Sequence, residues 1–441
     1  MVRYEAAEAG KEPKMADIVK VIAKFADENY EDFKFLNPDG TLSIDLDDQP
    51  TITKLRLELP SQEPLHLVSV IPEGPDMADL MEHAKLTMSS AWKRYGDVLQ
   101  KRILFDPNNR ETAFHTKREA RPWLEIEFKN PTRVDRVRLR NRPNGTSIRA
   151  RGIQVLCQKT GGAWTTYYDG IMREREFLHD AEKLDGLSGG VSGVDASAGE
   201  LLKVLALIEL RDYADAVKYF DLLPLAESEA KAFRAKTNAE ILSPRRLEWQ
   251  IHGIRRSFRF WSKAEQAEYV RFSNGVIDAL RKVTDNTCFG FGSVLSIVRD
   301  KALMPHDDDL DVLIAFEPSR APTLATGIKL IREVLEEAGY VVAHTNHMAH
   351  QWVTRAGYSH KIDVFVGIFE GESISWYPGA RRALSRDMMF PAREMELLGQ
   401  PCLVPREPES YLERVYGSGW RVPDPEFRHA WDSSQYADIA R

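Results

Sequence analysis

Cysteine is scarce in this chain. Cys157, Cys288 and Cys402 are scattered through 441 residues, and no two fall in a CxxC spacing. That excludes a zinc-ribbon or disulfide framework and leaves buried or idle thiols in a reducing compartment. Long hydrophobic runs are missing as well. No apolar stretch approaches the ~20 residues that span a bilayer, so any membrane contact is expected to be peripheral, at the inner membrane face. The opening MVRYEAAEAGKEPK carries early acids and no apolar core, unlike a secretory signal, and a cytoplasmic location is expected. Excess positive charge is lacking too. A formal net charge of −7 argues against a general nucleic-acid binder and leaves room only for a local basic groove.

What is present is ordinary globular material, 43% hydrophobic and 29% charged, in a chain too long for one core. Multidomain organisation is therefore expected. Residues 1–50 read as an N-terminal helical extension built on MADIVKVIAKFADENYEDF. Over 51–180 the texture changes to TITKLRLEL, LHLVSVI, PWLEIEF, RVDRVRLRN, GIQVLCQ and WTTYYDG, short segments alternating apolar and polar residues between Pro, Gly and Asn. That period of two predicts a β-sandwich. DGLSGGVSGVDASAG, 185–199, reads as a linker. Residues 199–245 read as a helical spacer with Leu201, Val204, Leu205 and Ile208 on one apolar face. From 246 to 441 strands and helices alternate. Ser262 and Glu265 form a capping box for a helix whose Tyr269, Phe272, Val276, Leu280 and Val283 make one stripe, and an α/β or α+β unit follows.

The chemistry concentrates in GFGSVLSIVRDKALMPHDDDLDVLI, residues 290–314. Gly292 lets a backbone approach a ligand closely, and the Ser293 hydroxyl with the N–H groups of a helix start suits an anion. Arg299 and Lys301 follow one helix later, placed to neutralise a second phosphate. Asp309 and Asp311 are two apart on the way into an apolar strand, so their side chains leave the same face. Asp307 and Asp308 read as loop acids that are solvated, that stand behind the metal ligands, or that form the turn. Asp363, in Lys361-Ile362-Asp363-Val364-Phe365, sits in another apolar strand, and pairing of the two strands would bring it to the first two acids. Three carboxylates around one or two Mg²⁺ ions, or Mn²⁺, make a phosphate-transfer site.

Two resemblances emerge from these residues. Ser89-Ser90-Ala91-Trp92, FDPNNRETAFHT, PWLEI and RVRLRNRPNG, in that order over about 60–175, resemble the discoidin-like (coagulation-factor C-type) jelly rolls, whose loops often bind sugars or lipids. Gly292-Ser293 with Asp309-Leu310-Asp311 and the later Asp363 looks like the nucleotidyltransferase superfamily pattern. The fuller text, with the tail FPAREMELLGQPCLVPREPESYLERVYGSGW, resembles the LicD/fukutin family over about 246–428. His306 and Ser296 depart from that family's usual Trp and Gly. The resemblance implies a phosphotransferase moving phosphocholine or an alditol phosphate from a CDP-linked donor to a glycan or lipid-linked glycan acceptor. Asp309, Asp311 and Asp363 would be its metal ligands and catalytic carboxylates, and Gly292, Ser293, Arg299 and Lys301 would hold the donor. Two other readings stay open: nucleotidyl transfer to a sugar, protein or RNA, and a non-catalytic glycan-binding scaffold.

His344, His347 and His350, with His360, invite a zinc reading, but the i, i+3, i+6 spacing fits neither one helix face nor a finger. A polar hairpin beside the acceptor site is the expectation instead. Trp352, Trp376, Tyr377 and Trp420 are expected either to pack in the core or to stack on sugar or cytosine.

Overall fold

The computed structural model describes residues 15–75, 82–92, 101–143, 145–182, 197–343, 350–358, 360–377, 379–425, 427, 429 and 433–440. The chain divides into two compact units, Met1–Ile241 and Leu242–Arg441.

The N-terminal unit is a sandwich of two antiparallel sheets. One runs in the order Trp164–Asp169, Gln154–Gln158, Thr51–Glu58, Trp123–Arg133 and Lys85–Met88. The other sets Arg136–Arg140 between Thr41–Asp45 and Ser69–Glu73. The alternation read in the sequence is the alternation observed. Leu42, Ile44, Val137 and Leu139 point inward to meet Leu55, Leu57, Leu124, Ile126, Val155 and Cys157 in one core. Arg136 and Arg140, on the outer face of the same ladder, pair with Asp45 and Asp39 across it. The sandwich takes in Thr41–Asp45, upstream of residue 51.

Helices Met15–Asn29, Gly170–Glu182 and Ser197–Glu209 contribute Ala26, Phe177 and Ala206 to a second, smaller cluster with Tyr30, Phe33 and Leu210, the residue just past the third helix. The extension and the spacer, separate in sequence, therefore share a core. The Gly170–Glu182 helix was not visible in the sequence because it buries so little, chiefly Phe177 and Ala181. Most of the expected 185–199 linker lies outside the described residues.

The C-terminal unit is built on a mixed sheet. Its order is Thr287–Phe289, Asp311–Phe316, Ile362–Glu370, His350–Arg355, Tyr340–Ala343, with Ser373–Trp376 also on the Ile362–Glu370 strand. Among the described residues, the Asp311 and Asp363 strands are the one parallel pair of this sheet. Both are near-continuous apolar runs because both of their faces are covered. The helix Lys263–Arg281 begins at the expected capping box: Ser262 Oγ accepts the Glu265 N–H at 3.2 Å and Glu265 returns a bond to Ser262 N at 2.7 Å. Its stripe of Tyr269, Phe272, Val276 and Leu280 is buried. The helix Leu324–Glu337 starts at Thr323 and ends where Gly339 turns to φ +85°. Among the described residues no helix is long and apolar enough to cross a membrane.

Candidate active site

Strand register assembles the acids. Asp311 and Asp363 are direct partners in the parallel pair, so the two side chains emerge side by side on one face of the sheet. On the far side of the Asp363 strand, Trp352 is the partner of Asp363 and His350 of Phe365. By the same period of two, Lys361, Asp363 and Phe365 share that face. The row is secured from beneath by Tyr269. Its hydroxyl accepts the Leu310 N–H at 3.0 Å and donates to the Lys361 carbonyl, and Asp363 N donates to Leu310 O at 3.0 Å.

The turn before Asp311 closes the other wall. The strand itself starts at Asp311, and Asp309 stands two residues ahead of it, outside any regular element. Gly290 N donates to Asp311 O, and Ser293 Oγ accepts the Asp311 N–H at 2.6 Å. Ser293 is buried and spends its hydroxyl on this strand, so it positions Asp311 and does not line the cavity. Gly292 does line it. A β-carbon there would meet Met304 Cε at 3.1 Å and Asp307 Oδ2 at 3.2 Å, and the Gly292 N–H supports the Asp311 carboxylate. Phe291, between the two glycines, is held at φ +40°, which is costly for a bulky residue. Its N–H donates to Tyr411 OH at 2.8 Å and its ring packs edge-on to Phe365.

The resulting cavity, about 340 Å³, has a charged side and an aromatic side. Asp307, Asp309, Asp311 and Asp363 line the first, and Phe291, Tyr416, Phe427 and His429 the second. The aromatic rings pack on one another at 4.8–5.5 Å. The reading of Asp307 as a solvated loop acid is thus overturned: positions 307, 309 and 311 all reach the cavity. Asp308 turns the other way, toward the hairpin Glu248–Gln250/Gly253–Arg255. It accepts from Gln250 Nε2 at 2.8 Å and Arg255 Nη1 at 3.1 Å, with His252 Nδ1 at 3.0 Å. These partners hold Asp308 below the usual carboxylate range despite its burial, and the Asp308 contact raises His252 to about 9.

The cavity carboxylates behave differently. Burial first, then their mutual repulsion, pushes Asp307 up to about 8, Asp363 up to about 7, and Asp311 well above the ordinary range. Asp309 moves in the same direction. Asp363 Oδ1 is buried without a hydrogen-bond donor among the described residues. Four crowded acids with an unsatisfied oxygen fit a divalent cation, which neutralises the repulsion and takes oxygen ligands. His252, Asp307, Asp308 and Asp309 present ligand atoms within 4.8 Å of one another, a grouping that shares only Asp309 with the three acids expected.

The expected phosphate cations fare unequally. Arg299 lines the cavity but is bidentate on Asp300 at 2.8 and 2.9 Å and donates to Trp420 O at 3.1 Å. Lys301 is an exposed residue in a left-handed turn, φ +51°, and is not on the cavity wall. Sequence reasoning passed over Lys361, which is on it. Of the four histidines, His344 and His347 lie outside the described residues. His350 Nε2 stands 3.8 Å from Asp363 Oδ2, whereas His360 stacks on Trp261 at 3.9 Å. Trp376, Tyr377 and Trp420 are core, and Trp352 is at the cavity, 38% exposed.

No curated protein is similar enough to the chain to be matched. Two family models do match parts of it. Residues 85–187 fit the F5/8 type C domain, and residues 286–407 fit the nucleotidyltransferase domain of the LicD/FKTN/FKRP family. The second stretch contains the glycine turn, the acid cluster and Asp363. The N-terminal unit thus carries an F5/8 type C domain and the C-terminal unit a LicD-type nucleotidyltransferase domain, the domain of a transferase.

Proposed function

We propose that the C-terminal unit is a divalent-cation-dependent phosphotransferase. It moves a substituted phosphate, of the phosphocholine or alditol phosphate type, from a CDP-linked donor to a hydroxyl of a cell-surface glycan or its lipid-linked precursor. The observation that carries this reading is the side-by-side register of Asp311 and Asp363, with Asp309 and Asp307 on the same cavity. Mg²⁺, or Mn²⁺, would be held by Asp309, Asp311 and Asp363. Bound there, it would neutralise charge building on the donor's phosphate oxygens.

The remaining work belongs to the chain's own groups. Ser293, Gly292 and Tyr269 hold the carboxylates rigidly, so little reorganisation is needed at the moment of reaction. The aromatic side excludes water from the donor. The acceptor oxygen forms a bond to the phosphorus nearest the transferred group as the bond to the CMP oxygen breaks. The hydroxyl proton passes to a carboxylate oxygen of the cavity, a role open to Asp363 where it does not hold the metal. The F5/8 type C domain would engage the glycan. A cytoplasmic enzyme acting on precursors at the inner membrane face fits this chemistry.

The test is Asp309→Asn. Release of CMP from CDP-choline or a CDP-alditol in the presence of Mg²⁺ is expected to fall by roughly a thousandfold or more, with the melting temperature kept within a few degrees. Full turnover in the variant would sink the proposal. Incorporation of label from a nucleoside triphosphate into an acceptor would favour nucleotidyl transfer instead.

A further inference from the structure

The acids that suit a cation repel a diphosphate, so a donor of that kind needs a positive side chain on the same wall. Among the described residues the Lys and Arg side chains lining the cavity are Arg255, Arg299 and Lys361. Arg255 is bonded to Asp308 at 3.1 Å, and Arg299 is bidentate on Asp300. Lys361 is held differently. Its nearest carboxylate oxygen, Asp363 Oδ1, is 3.9 Å away, too far for a hydrogen bond, and its ammonium rests 3.5 Å from the centre of the Trp352 ring.

We propose that Lys361 is the cation that grips the donor's diphosphate. The inference rests on the reading of the cavity as a site for a CDP-linked donor. Three geometric facts converge on it. Lys361 is two residues before Asp363, so the pleat puts both on the cavity face, beside the carboxylates. Trp352, the cross-strand partner of Asp363, offers its π-face to the ammonium, which keeps the charge over the cavity without consuming its N–H donors. The side chain is also largely shielded from water, 31% exposed, so its charge acts at a lower dielectric than a surface lysine's. An ammonium with no hydrogen-bond acceptor among the described residues is a compact anchor for phosphate oxygens that lie between metal-binding carboxylates and an aromatic wall.

The experiment compares the full chain with Lys361→Met and Lys361→Arg, using calorimetric titration of cytidine, CMP and CDP with Mg²⁺ present. The wild type is expected to bind CDP more tightly than cytidine. Lys361→Met is expected to weaken CDP by roughly ten- to a hundredfold, as loss of a charge-assisted hydrogen bond implies, and to leave cytidine within about twofold. Lys361→Arg is expected to recover part of the loss. Unchanged CDP affinity in Lys361→Met, or an equal loss for CDP and cytidine, would overturn the role of Lys361 and leave the donor reading standing. A wild type that binds none of the three would remove the donor reading and this inference with it.

Discussion

A single methyl group is enough to test the glycine turn. In Gly292→Ala the new carbon would be 3.2 Å from Asp307 Oδ2 and 3.8 Å from Asp311 Oδ2. Turnover is expected to drop by about a hundredfold through displaced carboxylates, while thermal melting moves by only a few degrees, both readable on one purified sample. Asp309, Asp311 and Asp363 were legible because alternation along a strand is a local property. One more step of the same alternation would have separated Asp307 from Asp308. Lys361 was legible in principle too, two positions before Asp363. What made it stand out, however, is the ring of Trp352, and a cross-strand neighbour cannot be read from either strand alone. Ser293 was misjudged for the same reason: its hydroxyl has a partner in a strand that begins eighteen residues later.

Elements cooperate through one hydroxyl. Tyr269, in the middle of a helix whose stripe reads as plain core, bonds to the backbone just ahead of both acid-bearing strands. In Tyr269→Phe the Leu310 N–H and the Lys361 carbonyl lose that partner in the interior, at a cost of about 1–3 kcal/mol. Activity is expected to fall further than stability, because the strand entries that present Asp309 and Lys361 lose their common tie. Chemical denaturation and donor turnover measured together check this; equal, small losses in both would mean that the tie serves folding alone. The helix and its cap were plain in the sequence, since caps and periodicity are written in adjacent residues. The parallel pairing was not, although the apolar texture of both strands is what buries them.

At the scale of the whole molecule, acid should be felt first in the sandwich. His66 is 1% exposed there, and neither ring nitrogen has a hydrogen-bond partner among the described residues. Burial, with Arg142 and His115 nearby, pushes it down to about 3, and His115 moves the same way. The folded state therefore favours the neutral ring, while the unfolded chain takes up a proton near 6.5. The associated stability is complete above that pH and is lost as pH falls toward 3, at about 1.4 kcal/mol per unit. Melting of the full chain between pH 7.5 and 5 should show a transition that shifts downward, and His66→Leu should flatten its pH dependence. Multidomain organisation was readable from chain length, and the sandwich from texture. The shared helical core was not, because its pieces are separated by the whole sandwich.

The pairing of Asp311 with Asp363 also sets a clock. The two strands lie roughly fifty residues apart, and contacts of such separation form late, after the intervening loop entropy has been met. During synthesis the glycine turn and the acid cluster leave the ribosome well before the strand that completes them. A nascent or truncated chain therefore carries three of the four cavity carboxylates, without the strand that completes the site. Completion of the site is a report that the longest-range pairing of the C-terminal sheet has closed.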